Sequence, residues 1–369
     1  MRRWALSAAG LGKRLRSWQT LSSGLRLVVS VLVTAFGVAG PAAADTPSVA
    51  VMTLPLTELC PEAPVSQGLK DVAQRLVVKA WYPNKVQEPP AGSSYPVVLF
   101  NAAWGGSSDS HFGQIRELVA HGFVVISIDH RLDLNEYGQF LDFSSQEAFD
   151  RTKALADGKA RRFASDNIVV LGALTAAAAC AASDEKITLI RSLDFNRTGI
   201  LGYSFGGAVA AQTAWQDPRF KAALNLDGWL FADASTLGVV QPFMEISDDT
   251  PIPTPADLDA PDMHKRLVAR LNDADYKQLR ANMISHGGYY LVISGSNHES
   301  FVDVSKRSVA QQLAALLPGS GSIPEIVNAY ILSFFERYVA GRPTSLIDQM
   351  PSPYKEVSLE FAQAPASSR

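Results

Sequence analysis

Gly199-Ile200-Leu201-Gly202-Tyr203-Ser204-Phe205-Gly206-Gly207-Ala208 is the stretch that decides the fold. The apolar residues before Gly202 read as a buried strand, and the Ala-rich residues 206–216 read as a helix. Between them stands G-x-S-x-G. A serine on a sharp, strained turn from strand to helix is held clear of the sheet, and the flanking glycines leave room for neighbouring backbone. Ser204 is therefore the candidate nucleophile.

Outward from this turn, short apolar, β-branched runs recur at 49–54, 76–81, 97–100, 123–128, 222–226, 242–246 and 289–293. Each is bounded by turn residues and reads as a buried strand. Helical patterns lie between them at 112–120, 265–283 and 324–339, and residues 173–182 read as a tightly packed Ala-rich helix. Residues 251–261 carry four prolines and read as a loop. Strands alternating with helices predict an α/β protein with a mostly parallel central sheet and helices on both faces. With the elbow in place, the expectation is the α/β-hydrolase fold. No repeat or composition shift divides residues 45–369, which are expected to form one domain.

A serine hydroxyl needs a base to take its proton, and in this fold the order along the chain is serine, acid, histidine. Of six histidines, His264, His286 and His298 follow Ser204. His298 lies in Gly295-Ser296-Asn297-His298-Glu299, a loop directly after the run 289–293, and strand-end loops carry the chemistry in such sheets. His264 and His286 fall in or beside a helix and read as surface histidines. Asp227 follows one strand, and Asp248 and Asp249 follow the next. The usual position favours Asp248 or Asp249, and position alone does not choose. One oxyanion donor is expected from the backbone N–H of Phe205, and the other from the loop Asn101-Ala102-Ala103-Trp104-Gly105-Gly106 after the run 97–100.

Composition narrows the function classes. The 369 residues are 47% hydrophobic and 19% charged, enough for a full core and unlike a disordered chain. The first 44 residues contain six cations and no acid. A nearly continuous apolar run at 25–40 leads into Pro41-Ala42-Ala43-Ala44-Asp45. That is the layout of a secretory signal peptide with cleavage after Ala44, and the run of about 16 residues falls short of a bilayer span. The expected location is secreted or periplasmic, without a stable membrane span in the mature chain. Removing six cations from a chain of net charge −3 leaves −9. An acidic protein with no basic stripe is not expected to bind nucleic acid. Cys60 and Cys180 either pair in an oxidising compartment or remain buried thiols, and sequence does not decide. No metal-ligand spacing is present, and no metal or organic cofactor is implied.

Four stretches resemble the intracellular type II and plasma platelet-activating-factor acetylhydrolases and their bacterial relatives near the dienelactone hydrolases. They are the loop at 98–106, LVAHGFVVISIDHR at 118–131, GYSFGGAVAAQTAWQDPRF at 202–220 continuing into ALNLDGW at 223–229, and GSNHESF at 295–301. The resemblance implies Asp227 as the catalytic acid, with Asp249 second, and the N–H groups of Trp104 and Phe205 as oxyanion donors. It implies hydrolysis of short-acyl esters such as acetylated or oxidised phospholipids. The chain departs from that family at Asn101-Ala102-Ala103, where Ser-His-Gly is usual, and at Tyr203, where histidine is usual.

The expected function is a serine carboxylic-ester hydrolase using Ser204, Asp227 and His298 on a small-molecule or lipid ester. Three alternatives share the same residues: a cutinase-like or dienelactone-hydrolase-like esterase on non-lipid esters, an acyltransferase, and a non-catalytic binding protein on the same scaffold. If the leader is cut as its pattern implies, N-terminal sequencing of exported protein will begin at or near Asp45. A chain recovered from membranes with Met1 intact would refute the leader.

Overall fold

A computed structural model describes residues 48–60, 64–84, 94–132, 140–182, 184–303 and 323–364. The leader at 1–44 and its cleavage site lie outside the described residues.

The chain runs β1 (Val49–Thr53), α1 (Gln67–Gln74), β2 (Leu76–Pro83), β3 (Tyr95–Asn101), α2 (Phe112–Ala120), β4 (Val124–His130), α3 (Gln146–Ala177), α4 (Glu185–Arg191) and β5 (Leu193–Tyr203). It continues through α5 (Phe205–Gln216), β6 (Phe220–Leu226), α6 (Ala232–Leu237), β7 (Phe243–Ser247), α7 (Pro255–Leu258), α8 (Met263–His286), β8 (Gly288–Ile293), α9 (Ile323–Phe335) and β9 (Val357–Ala362). The strands form one sheet in the order β1-β2-β4-β3-β5-β6-β7-β8-β9. The six strands from β4 to β8 in that order are mutually parallel. β1, β2 and β9 add antiparallel pairings at the margins. This is the α/β-hydrolase architecture.

The central strands read as unbroken apolar runs because both faces of the sheet are covered. In β3, Val97 and Leu99 join α1, α3, α5 and α8 in one buried cluster. Val98 and Phe100, on the alternate face, pack with α2 and α9 in a second. A third cluster, with Phe143, Phe149, Phe205, Phe231 and Leu267, lies beside the elbow helix α5.

Three elements exceed the sequence reading. Residues 173–177 of the Ala-rich stretch are the end of α3, a helix of 32 residues whose N-cap Ser145 accepts from the Ala148 N–H at 3.1 Å, while 178–182, read as helix from sequence, have left it. The strand at 289–293 is not the last, because β9 pairs with it along its whole length. The proline-rich stretch 251–261 also contains the single turn α7, which Thr254 caps.

Cys60 and Cys180 are joined, with Cα atoms 5.8 Å apart and 120 residues between them in sequence. Cys180 lies just past the C-terminus of α3, and its carbonyl accepts from the Arg191 guanidinium, close to where β5 begins. Closing so long a loop restricts the unfolded chain by about 3–5 kcal/mol. Reduction, or Cys180→Ser, is expected to lower unfolding stability in urea by that order while leaving the far-ultraviolet spectrum of the folded protein unchanged. No described helix is long and apolar enough to cross a membrane.

Candidate active site

The site forms where β5, β6 and β7 end and the loop after β8 begins. Ser204 follows β5 with φ 56° and ψ −126°, a strained backbone for a non-glycine residue. Its N–H donates to the Leu226 carbonyl at 2.9 Å, and its own carbonyl accepts from Gly207 at 2.9 Å as α5 starts. The turn is so tight that side chains are excluded around it. A Cβ on Gly206 would stand 2.2 Å from the Asn101 carbonyl oxygen, and one on Gly207 would stand 1.6 Å from Asn225 Oδ1.

The structure brings Ser204, His298 and Asp227 together across 94 and 71 residues of sequence. His298 Nδ1 lies 2.6 Å from Asp227 Oδ2, and Nε2 lies 3.1 Å from Ser204 Oγ. Facing a carboxylate, which only accepts, Nδ1 is the nitrogen that carries the proton, and Nε2 is left to accept from the serine hydroxyl. The His298 side chain is 29% exposed and that of Asp227 9%, so the imidazole is reachable and the carboxylate is shielded.

The three candidate acids have separate places. Asp227 continues β6 with φ 58°, and its N–H donates to the Ile246 carbonyl at 2.8 Å. That bend carries its carboxylate to His298. Asp248, at the end of β7, donates its N–H to Asp227 Oδ1 at 2.7 Å. Its own carboxyl is raised above the usual range by burial and by the Asp227 charge. Asp249 Oδ2 accepts from the Gly295 N–H at 2.8 Å and so anchors the histidine loop. His264 is exposed, and His286 bonds the Leu237 carbonyl at 2.9 Å.

The loop after β3 makes a tight turn in which the Gly106 N–H donates to the Ala103 carbonyl at 2.8 Å and Gly105 takes φ 64°. That closure leaves the Trp104 N–H outside the turn bond. Phe205 opens α5, where the first N–H groups have no intrahelical acceptor. The Trp104 and Phe205 rings meet edge to face with centroids 4.9 Å apart. Asp129 fixes the segment beyond this loop by accepting from the Ser108 N–H at 2.9 Å and the Ser108 hydroxyl at 3.0 Å. Neighbouring His130 stacks on Phe163 and faces Asp166, which Arg75 grips with two nitrogens.

Sequence reasoning missed Asn225. This fully buried residue of β6 accepts from the Gly228 N–H at 3.1 Å and donates to the Gly228 carbonyl at 2.6 Å. It thereby clamps the turn that presents Asp227. A lone asparagine inside an apolar strand was the available signal. Beside it in register stands Glu245, buried, its carboxyl pushed well above the usual range by burial, then by Asp275 and Asp227. Among the described residues no cluster of histidine, cysteine and acidic groups is disposed to hold a metal.

The profile of the family described as "Platelet-activating factor acetylhydrolase, isoform II" matches residues 182–323. Platelet-activating factor acetylhydrolases of Cavia porcellus, Bos taurus and Gallus gallus are 25%, 23% and 22% identical over 38%, 58% and 58% of this chain. The matches span 36%, 49% and 53% of those proteins, so the chain covers about half their length or less. A solved structure titled "Ferulic acid esterase from Streptomyces cinnamoneus at 2.4 A resolution" superposes with TM-score 0.54 at 19% identity, over 87% of this chain and 98% of the other. The chain is similar in sequence to the platelet-activating-factor acetylhydrolases and shares the α/β-hydrolase fold with the bacterial esterase.

Asp275 of α8 turns its carboxyl inward to accept from the Leu230 N–H at 2.8 Å, just past Asp227. Burial pushes it up to about 7 from 3.8. The folded chain then keeps a proton that the unfolded chain releases, so stability from this group is full below about pH 3.8 and is lost as pH rises through about 7. Asparagine imitates the protonated form and still accepts from Leu230. Asp275→Asn is therefore expected to gain stability over the unaltered chain from pH 4 to 7. The gain should level off above pH 7 at on the order of 1–3 kcal/mol in urea unfolding. A constant difference across that range would contradict it.

Proposed function

We propose that this chain is a serine carboxylic-ester hydrolase. The observation that carries the reading is the single imidazole of His298 within hydrogen-bond distance of both Ser204 and Asp227. In this mechanism Nε2 takes the Ser204 proton as Oγ attacks the ester carbonyl, and Asp227 stabilises the imidazolium that forms. The N–H groups of Phe205 and Trp104 receive the developing oxyanion. His298 then returns the proton to the leaving alcohol. Water, deprotonated by the same imidazole, clears the acyl-enzyme. None of these steps calls on a metal or organic cofactor.

The sequence similarity supports short-acyl esters, acetylated or oxidised phospholipids among them, as the substrate class. The basic, then apolar, then small-residue pattern of 1–44 supports action after export, in the periplasm or outside the cell. A second reading, an ester with an aromatic acyl group, is favoured by Trp104, Phe140 and Trp229. These partly exposed aromatics pack on the third buried cluster, with Trp104 directly against the first residue of the elbow helix.

Three measurements test this. An organophosphonate should label Ser204, and Ser204→Ala should lower ester turnover by roughly 10⁴- to 10⁶-fold. Asp227→Asn should approach a 10⁴-fold loss in kcat, on the order seen for a triad acid, whereas Asp249→Asn should retain most activity. A series of p-nitrophenyl esters of rising chain length, set beside an acetylated phospholipid and an aromatic-acyl ester, separates the two substrate readings. Near-normal turnover by Ser204→Ala would refute the central assignment.

A further inference from the structure

The separation of 3.1 Å between Ser204 Oγ and His298 Nε2 has to be held between groups on different parts of the fold. Ser204 follows β5, His298 stands just after β8, and β6 and β7 lie between those strands. Loops are the more mobile parts of a structure, while a catalytic pair works within about 0.5 Å of its productive geometry. Something must tie the histidine loop to the nucleophile.

Tyr203 is in the right place. It precedes Ser204, is 4% exposed, and pairs in register with Leu226, the residue before Asp227. Its hydroxyl donates to the backbone carbonyl of His298 at 2.9 Å. Its ring stacks on the His298 imidazole with centroids 4.8 Å apart and planes 27° apart. Thus the residue next to the nucleophile grips both the main chain and the ring of the base. Asp227 bonds the ring itself, while other anchors of the loop act further from the imidazole: Asp249 holds Gly295, and Asn297 and Ser300 cap the short turn that His298 opens. His111 backs the phenol with ring centroids 4.7 Å apart. Burial lowers His111 to about 3, so it stays neutral and sets no second positive charge against the imidazolium that forms during turnover.

We propose that Tyr203 is the positioning residue that sets the Ser204–His298 distance, by bonding the His298 carbonyl through its hydroxyl and supporting the imidazole with its ring. The proposal deepens the esterase reading and rests on it. It also gives a physical role to a position where the resembling family usually has histidine. A histidine there would lack the phenol hydroxyl that reaches the His298 carbonyl.

The test compares the unaltered protein with Tyr203→Phe and Tyr203→Leu. Phenylalanine keeps the ring and the packed volume, so the fold is retained, and only the hydroxyl is lost. Turnover of a p-nitrophenyl ester is expected to fall about tenfold in kcat, with KM held within about twofold, since one hydrogen bond to the base is removed. Tyr203→Leu loses the ring as well and should fall about a further tenfold. The proton on His298 Nδ1, in its 2.6 Å bond to Asp227, supplies a substrate-free readout as a low-field NMR resonance. It should broaden in Tyr203→Phe as the imidazole loosens. An unaltered kcat, a loss confined to KM, or a resonance that stays equally sharp overturns the proposal. Ser204→Ala measured alongside keeps the two readings apart. If that variant remains active the esterase assignment fails, while the resonance still reports on the tie between Tyr203 and His298.

Discussion

The close approach of backbone at the start of α5 is the constraint on which the rest of the site depends. Gly206 lies against the end of β3 and Gly207 against Asn225 of β6, each at a distance that no side chain could occupy. Gly202 faces the Gly206 carbonyl in the same way. Because the helix can come so near, three neighbouring strand ends are drawn to one point. β3 runs on into the Trp104 turn, β5 delivers Ser204, and β6 delivers Asp227. A methyl group at any of these glycines would displace the helix from at least one of them. The glycines thus fix the relative positions of Ser204, Asp227 and the Trp104 loop independently of hydrogen bonds among side chains.

Around that point, several residues hold and do not react. Asn225 pins both polar groups of Gly228, Asp249 tethers the histidine loop through Gly295, and Asp129 fastens the segment beyond Trp104. Asn225 and Asp129 pair buried backbone groups, for which the cost of an unmade bond is high, whereas the bond of Asp249 to Gly295 lies in an open, exposed turn. The two carboxyl groups behind Asp227, Glu245 and Asp275, are driven toward their neutral forms by burial. The repulsion that these two neighbours would otherwise bring to Asp227 is lessened in this way.

Much of this could be read from sequence, and the gaps have physical causes. The central strands were legible because a sheet covered on both faces needs continuous apolar runs. β9, Val357–Ala362, is a half-exposed margin strand whose signature is the apolar-polar alternation of VSLEFA, a pattern unlike the continuous apolar runs that mark the central strands. The length of α3 was hidden because it mixes charged and apolar residues over many turns, and only its Ala-rich end stood out. At the site, the elbow motif marked Ser204 by local pattern, and elimination among six histidines marked His298. Position along the strands did not single out Asp227, and only the family resemblance pointed to it, because the left-handed bend that carries its carboxylate to His298 is encoded by no pattern of residue types. Asn225 escaped notice for a related reason: its partners, Gly207 and Gly228, become its neighbours only when α5 and the β6 turn close over it.

The bridge between Cys60 and Cys180 has a consequence for how the molecule divides its tasks. Cys180 lies near the beginning of β5, whereas Ser204 stands just past the far end of the same strand. The non-glycine residues with positive φ among the described ones are Ser204, Asp227 and Ala232, all at or just beyond the strand ends that form the site. Backbone held in this way costs on the order of 1–3 kcal/mol per residue, comparable in sum to what a cross-link over so long a loop contributes. Tension is concentrated at one pole of the sheet and its counterweight at the other. A covalent tie at the quiet pole raises the stability of the whole fold, and the bent turns at the working pole draw on that margin.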